Sequence, residues 1–294
     1  MLDMGHALHD VGASAPYWTP IIRITSPFDE FRARYNRISQ ESALQWLAFD
    51  ETNPNSILQC VSRARENARS IRGQISTEMW QQINSTYLRV KSSGMDEVWR
   101  EGAHSYFLSI REASQLFQGM ISSTQPRDEA FQWMELGKYL ERADATTRLI
   151  DVKYHILLPS LAEVGGPIDN VQWIAVLKSC SAYEAYQRRY VDKITPSRVA
   201  EFLVLEKTFP RAVRFCFDQV RWSLRSIATE HGAADERPPE IVASHVRHKL
   251  SESNMSGIIQ YGLHEYMLQL QRYCAEISFK IGDAYFQTAA RNVA

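Results

Sequence analysis

The chain has 294 residues and a formal net charge of −1, and 45% of its residues are hydrophobic and 23% charged. This is ordinary globular composition, and the length allows one large domain or two smaller ones with buried cores. The balanced charge and the lack of a basic segment argue against a nucleic-acid-binding protein, which needs a basic excess on one face.

The opening segment lacks the basic start and apolar run of a signal peptide, and no run of about 18 apolar residues occurs. We therefore expect a cytoplasmic protein without a membrane span. The four cysteines are far apart and form no C-x-x-C pair, so they are predicted to be free thiols. The chain has no histidine at zinc-ligand spacing and no glycine-rich phosphate-binding motif, so neither a metal site nor a cofactor is predicted.

Helical periodicity runs along the whole chain while strand-like alternation is scarce, so the predicted fold class is all-α. In the first half the pattern predicts helices over residues 28–37, 41–47, 54–73, 76–90 and 95–121. The helix opened by Pro54 carries an apolar stripe from Ile57 to Ile71. Trp99 and Gly102 are expected on the inner face of the last helix. Because glycine weakens a helix interior, Gly102 predicts a close helix crossing.

The next segment predicts one long helix over residues 126–158, capped by Ser123 and Thr124, with Pro126 in its first turn and Pro159 beyond its end. Two rows of this helix have the spacing of a packing stripe. The first row is mainly apolar and consists of Leu136, Leu140, Ala143, Thr147, Ile150, Tyr154 and Leu157. The second row carries charge in its middle and consists of Phe131, Met134, Lys138, Glu141, Ala145, Arg148 and Val152.

The second half of the chain repeats the first at a nearly constant offset. The matches include Trp18 with Trp173, Arg34 with Arg189, Ile71 with Ile227, and Gly102 with Gly262. The predicted architecture is an elongated bundle of long antiparallel helices, built from two tandem repeats related by an approximate two-fold. The first repeat covers residues 1–125 and the second covers residues 126–294.

The first repeat lacks the opening helix of the second. Residues 1–4 match residues 149–152, so residues 126–148 have no counterpart in the first repeat. We expect the gene to encode an upstream helix, or Met1 to be an internal start. Otherwise the first repeat would expose an apolar groove, which monomeric proteins seldom tolerate.

The run FQWMELGKYLERADATTRLIDVKY, residues 131–154, resembles the signature of the alpha-E family, a bacterial all-helical domain of unknown function. The run EKTFPRAVRFCFDQV, residues 206–220, is similar to that family's second recurrent segment. The resemblance implies partners, because such proteins are typically encoded beside, or fused to, circularly permuted ATP-grasp ligases and transglutaminase-like proteins. We therefore expect an accessory protein that binds a substrate or partner of an ATP-grasp amide ligase. Whether the protein forms a homo-oligomer stays open.

The candidate binding residues are Lys138, Glu141, Arg142, Asp144 and Arg148, all in the long central helix. Asp144 and Arg148 are four residues apart and are predicted to pair. Lys138, Glu141 and Arg148 form a row of plus, minus and plus. In the functional interpretation, Arg142 or Arg148 holds a carboxylate or phosphate and Glu141 orients an amine. In the structural interpretation, the same charges form a buried network that fixes two crossing helices.

Two other functions stay open. The first is an enzyme acting on a peptide or carboxylate substrate, with Glu141 as general base and Arg148 as anion clamp. The second is a purely structural scaffold. An enzyme needs the charged row to open into a cavity, a scaffold allows it to be sealed, and a partner-binding protein needs an exposed apolar patch beside it. His104 and His264 are expected on helix flanks or the surface, away from any site.

Overall fold

The computed structural model describes residues 18–156, 166–191, 194–232 and 236–286. Across these residues the chain forms 15 α-helices and no strand, so the predicted all-α class is confirmed. The chain divides into two compact units, Met1–Pro126 and Arg127–Ala294. In the part described here, no helix is both long enough and apolar enough to cross a membrane.

The described residues of the first unit form seven α-helices. They are α1 Trp18–Thr25, α2 Phe28–Arg34, α3 Gln40–Leu44, α4 Ile57–Ser70, α5 Thr77–Ser92, α6 Met95–Glu101 and α7 Ala103–Thr124. Those of the second unit form eight. They are α8 Glu129–Ile156, α9 Pro167–Ser179, α10 Tyr183–Arg189, α11 Pro196–Leu205, α12 Val213–Glu230, α13 Pro238–Glu252, α14 Met255–Tyr261 and α15 Leu263–Ile281. A π-helical turn, Gln45–Phe49, follows α3, and another, Gly282–Phe286, follows α15.

Side-chain caps set several helix starts, and they move two of the predicted boundaries. The Ser56 hydroxyl accepts the Gln59 N–H, so α4 begins at Ile57 rather than at Pro54. The central helix α8 begins at Glu129 because Asp128 Oδ1 accepts the Phe131 N–H at 3.1 Å. The predicted caps Ser123 and Thr124 were wrong, because their hydroxyls donate to carbonyls of the preceding helix.

The predicted single helix over residues 95–121 was also wrong, because the helix is interrupted at Gly102. Gly102 has φ of 83° and separates α6 from α7, and Gly262 with φ of 110° separates α14 from α15 in the same way. Only glycine adopts such angles without strain. A methyl group at Gly102 would meet no atom within 4 Å, so this glycine serves the turn and not a close crossing. Trp99, expected inside, is 46% exposed.

Four helices of the second unit form a bundle in which α8 contacts α12 and α15, and α13 contacts both of those. The apolar stripe of α12 is fully buried; its members are Val213, Phe217, Val220, Leu224 and Ile227. The first predicted row of α8 is buried at Leu136, Ala143, Thr147 and Ile150. Leu140 is only partly buried, and Leu157 lies outside the described residues. Buried apolar side chains on both helices therefore hold α8 against α12.

The matching stripe of the first unit is far less buried. Ile57, Val61 and Ala64 on α4 are partly exposed, and Ile71, the partner of the buried Ile227, is 44% exposed. The first unit therefore obtains less stabilisation from this stripe than the second unit obtains from α12.

The two units nevertheless share a hydrogen-bonded turn. In the first, Asp50 accepts the Thr52 N–H and pairs with Arg34 Nε at 2.8 Å. In the second, Glu206 accepts the Thr208 N–H, and its partner is Arg189 Nε at 3.6 Å. These positions match in the predicted repeat. The two-fold relation stays a prediction, and the match at residues 1–4 lies outside the described residues.

The difference in burial can be tested with one substitution at matched positions. Ile227→Ala should lower the free energy of unfolding by about 2–5 kcal/mol because it leaves a cavity under α8. Ile71→Ala should cost under about 1 kcal/mol because that side chain is already partly hydrated. Urea unfolding followed by far-UV circular dichroism measures both, and equal losses would contradict the burial contrast.

A second test compares two glycines. Gly102→Ala should destabilise the protein by about 1–2 kcal/mol, because alanine is strained at positive φ. Gly137→Ala, at an exposed helical position with no atom within 4 Å of the added methyl, should stabilise it by about 0.4–1 kcal/mol. Thermal unfolding of the two variants should therefore shift in opposite directions, and a loss at Gly137 would show that this position needs glycine.

Candidate functional site

The helix α8 changes its environment along its length. From Thr146 to Lys153, all residues except Arg148 are buried. Nearer its start, Gly137 and Glu141 lie one turn apart on an exposed stripe that continues through the partly exposed Ala145 and Arg148. Glu141 and Arg148 of the charged row predicted from the sequence lie on this stripe and reach solvent.

Asp144 and Arg148 form the direct pair that their spacing predicts. Arg148 Nε lies 2.6 Å from Asp144 Oδ2, within hydrogen-bonding distance. The Arg148 side chain is 37% exposed and that of Asp144 is 23% exposed. An ion pair this exposed to solvent contributes under about 1 kcal/mol to stability, so it does little to fix the position of the helix.

Glu141 lies beside this pair but does not join it. Its carboxylate makes no hydrogen bond or ion pair with any described residue. Desolvation raises the pKa of Glu141, the charge of Asp144 raises it further, and Arg148 opposes both. The residue is exposed at the surface, while surrounding protein atoms partly desolvate its carboxyl. We call Glu141, Asp144 and Arg148 the α8 charge cluster.

The structure separates Lys138 and Arg142 from this cluster. Lys138 pairs with Glu135, one turn earlier, so the predicted row of Lys138, Glu141 and Arg148 is not one network. Burial lowers the pKa of Lys138, and the pairing with Glu135 opposes that shift. Lys138 Nζ lies 4.5 Å, and the Arg142 guanidinium carbon 5.5 Å, from the ring centroid of Tyr139. Both cations thus flank one aromatic ring.

Two polar contacts of α8 were missed by the sequence-based reasoning. Lys153 Nζ lies 2.5 Å from Asp169 Oδ1, and both side chains are at least 95% buried. His264 Nδ1 lies 2.5 Å from Oδ1 of the buried Asp151; the His264 side chain is 22% exposed, as its predicted flank position requires, and His104 is exposed. The available signal was charge at positions 151 and 153 amid apolar neighbours, since a buried charge needs a partner.

The buried cysteines among the described residues are not reactive nucleophiles. All four cysteines are free, and burial raises the pKa of Cys180 to about 11 and of Cys216 to about 12. Such thiols stay protonated and are poor nucleophiles at neutral pH. Within the described ranges, no group of three or more His, Cys, Asp or Glu residues is arranged to hold a metal ion.

A family model described as a predicted alpha-helical domain with a conserved ER motif matches residues 1–286. The chain belongs to the Alpha-E family. The Glu-Arg dipeptide within the signature helix of this Alpha-E chain is Glu141–Arg142, whose two side chains have different surroundings: Glu141 lies beside the Asp144–Arg148 pair and Arg142 lies near Tyr139.

Three curated relatives are uncharacterised proteins: Mb2597 of Mycobacterium bovis, and MT2643 and Rv2567 of Mycobacterium tuberculosis. Each is 24% identical to this Alpha-E chain over 207 residues, which cover 68% of the chain but only 22% of the relative. The chain thus spans about a fifth of the length of these relatives. No solved structure matches it significantly.

The pH dependence of stability tests whether Glu141 opposes folding. A carboxyl with a raised folded pKa binds more protons in the folded state, so the free energy of unfolding falls as pH rises from 4.5, its ordinary value, through the folded pKa. Glu141→Gln removes this fall, and the variant should gain stability relative to wild type across that window. Urea unfolding over a pH series measures the difference.

The control for this test is Glu276→Gln, which removes one negative charge from a surface pair with Lys280 in the same unit. It should not reproduce the gain. If Glu141→Gln is instead less stable than wild type at every pH, Glu141 stabilises the helix packing, and the structural interpretation of the charge cluster is correct.

Proposed function

We propose that this Alpha-E chain is an accessory protein of an ATP-grasp amide ligase, and that it binds a peptide or acyl substrate, or the ligase itself, at the α8 charge cluster. The observation that carries the proposal is the solvent-reachable carboxylate of Glu141, which has no partner among the described residues and lies beside the Asp144–Arg148 pair.

The chemistry of the cluster suits a ligand that carries an amine. Glu141 would accept hydrogen bonds from an ammonium group, and the ligand charge would offset the desolvation that raises the pKa of Glu141. Arg148 would face the carboxylate or carbonyl end of the same ligand, sharing its guanidinium with Asp144. A peptide or amino acid has both groups, as an amide ligase requires of its substrates.

Solvent access speaks against a purely structural role. A scaffold has no need for an unpaired, partly desolvated carboxylate, whose charge opposes folding. The raised pKa of Glu141 does favour the second candidate, an enzyme that uses Glu141 as general base, because burial and a like charge are the usual means of tuning such a base.

An accessory role agrees with the size of the relatives. Their matched region is about a fifth of each protein, so the similar region there is part of a much larger chain. The signature helix also resembles proteins found with circularly permuted ATP-grasp ligases and transglutaminase-like proteins, which are the partners that we propose. A cytoplasmic location is part of the proposal, because the ligase consumes ATP.

Co-purification with the ATP-grasp protein encoded beside the gene tests this function. Wild type should form a complex, and Glu141→Gln and Arg148→Met should lower ligase turnover by at least about tenfold while the melting temperature moves by only a few degrees. Glu276→Gln, with the same chemical change on a neighbouring helix, should keep full turnover.

Two outcomes would overturn the proposal. If no complex forms and the two variants melt well below wild type, the cluster is structural. If no complex forms but the isolated chain turns over a peptide substrate, and Glu141→Gln abolishes that turnover, the enzyme is the correct function.

A further inference from the structure

The second unit contains a cavity of about 380 Å³ that does not include the α8 charge cluster. Residues of α8, α9, α11 and α14 and the start of α15 line it. The lining includes Lys153, Asp169, Trp173, Ala200, Met255 and Leu263. A volume of this size falls in the range of small-molecule pockets, roughly 300–1,000 Å³.

The wall of this cavity is mostly apolar, and its polar side chains are those of one buried ion pair and of the exposed Ser197. Lys153 Nζ donates to Asp169 Oδ1 at 2.5 Å and to Gln172 Oε1 at 2.8 Å. The ammonium also lies 5.4 Å from the ring centroid of Trp173. Cavities of this composition, mostly apolar with a few convergent polar groups, are typical ligand sites.

The hydrogen bonds of Lys153 are incomplete. An ammonium group has three N–H donors, and two of them are used by Asp169 and Gln172. The third has no acceptor within residues 18–156, 166–191, 194–232 and 236–286. A buried donor without a protein acceptor is unfavourable, so the arrangement suits a ligand that supplies an oxygen there.

The charges in the cavity determine which kind of ligand group can bind beside Lys153. Lys153 and Asp169 together are neutral. A ligand carboxylate would bring a second negative charge close to Asp169, and a ligand ammonium would bring a second positive charge close to Lys153. Either excess charge would be poorly screened between apolar walls. An uncharged carbonyl oxygen accepts the third proton of Lys153 without adding charge.

We propose that this cavity is a binding site for a small uncharged carboxamide, whose carbonyl oxygen accepts a hydrogen bond from Lys153 and whose apolar part packs against Trp173 and the aliphatic wall. An amide has an N–H donor as well, which complements the carboxylate beside Lys153. This inference does not depend on the proposed function, because it concerns different residues.

Three probes of similar shape test the choice of ligand. Benzamide has an uncharged carbonyl and an N–H donor, benzoate has a carboxylate, and toluene has no polar group. Titration of the full chain, followed by ligand-observed NMR, should give a dissociation constant for benzamide at least about tenfold lower than for either of the others. Benzoate binding as tightly as benzamide, or no benzamide binding up to its solubility, would overturn the proposal.

Substitutions locate the binding. Ala200→Leu fills part of the cavity and leaves both residues of the ion pair unchanged. It should weaken benzamide binding at least about tenfold. The double variant Lys153→Met with Asp169→Leu removes both charges together, so neither is left unpaired, and it should abolish the preference for benzamide over toluene. Glu141→Gln should leave benzamide binding unchanged, which separates this site from the α8 charge cluster.

Far-UV circular dichroism of each variant confirms that it is folded. If Ala200→Leu proves unstable, Ser197→Trp at the exposed rim of the cavity supplies a second block. Unchanged benzamide affinity in a folded blocking variant would place the binding elsewhere and overturn the inference.

Discussion

The packing of α8 against α12 is the interaction on which the second unit depends. Five apolar side chains of α12 are fully buried, and each contributes about 1.5–3 kcal/mol relative to exposure. Because this contact covers one side of α8, and α9, α11 and α15 also contact α8, few of its charged side chains are well exposed to solvent. Glu141 is one of them, and the α8 charge cluster lies on the exposed stripe around it.

The charged groups of α8 consequently fall into two classes that differ in burial and in pairing. Asp151 and Lys153 are buried, and each has a direct hydrogen-bond partner on another helix: Lys153 pairs with Asp169, and Asp151 contacts His264. Glu141 is reachable by solvent and lacks such a partner among the described residues. An unsatisfied charge is tolerated at the surface, where a ligand can approach it. Asp144 and Arg148 lie between these extremes as a half-exposed pair.

The two units share the same local turn features although their helical stripes are buried to different degrees. Both contain a helix that ends at a glycine with positive φ, and both contain the turn in which a carboxylate accepts the N–H of a threonine two residues later. These features are fixed by bonds within a few residues, so they do not depend on how much core surrounds them. The stripe of α4 has the spacing of the α12 stripe, yet only the latter is fully buried, because α8 covers it.

The sequence by itself determined the all-α class, the central helix with its apolar row, and the Asp144–Arg148 pair, because these depend on helical periodicity and on contacts one turn apart. It also pointed to Glu141 as a candidate. The helix break at Gly102 and the Lys138–Glu135 pair are also local, but helical periodicity alone does not reveal either of them. Only the tertiary structure decided which partners meet the buried charges. Lys153 and Asp169 are 16 residues apart and Asp151 and His264 are 113 apart. Which of many charges meet over such separations depends on how distant helices pack, and a linear pattern contains no measure of that packing.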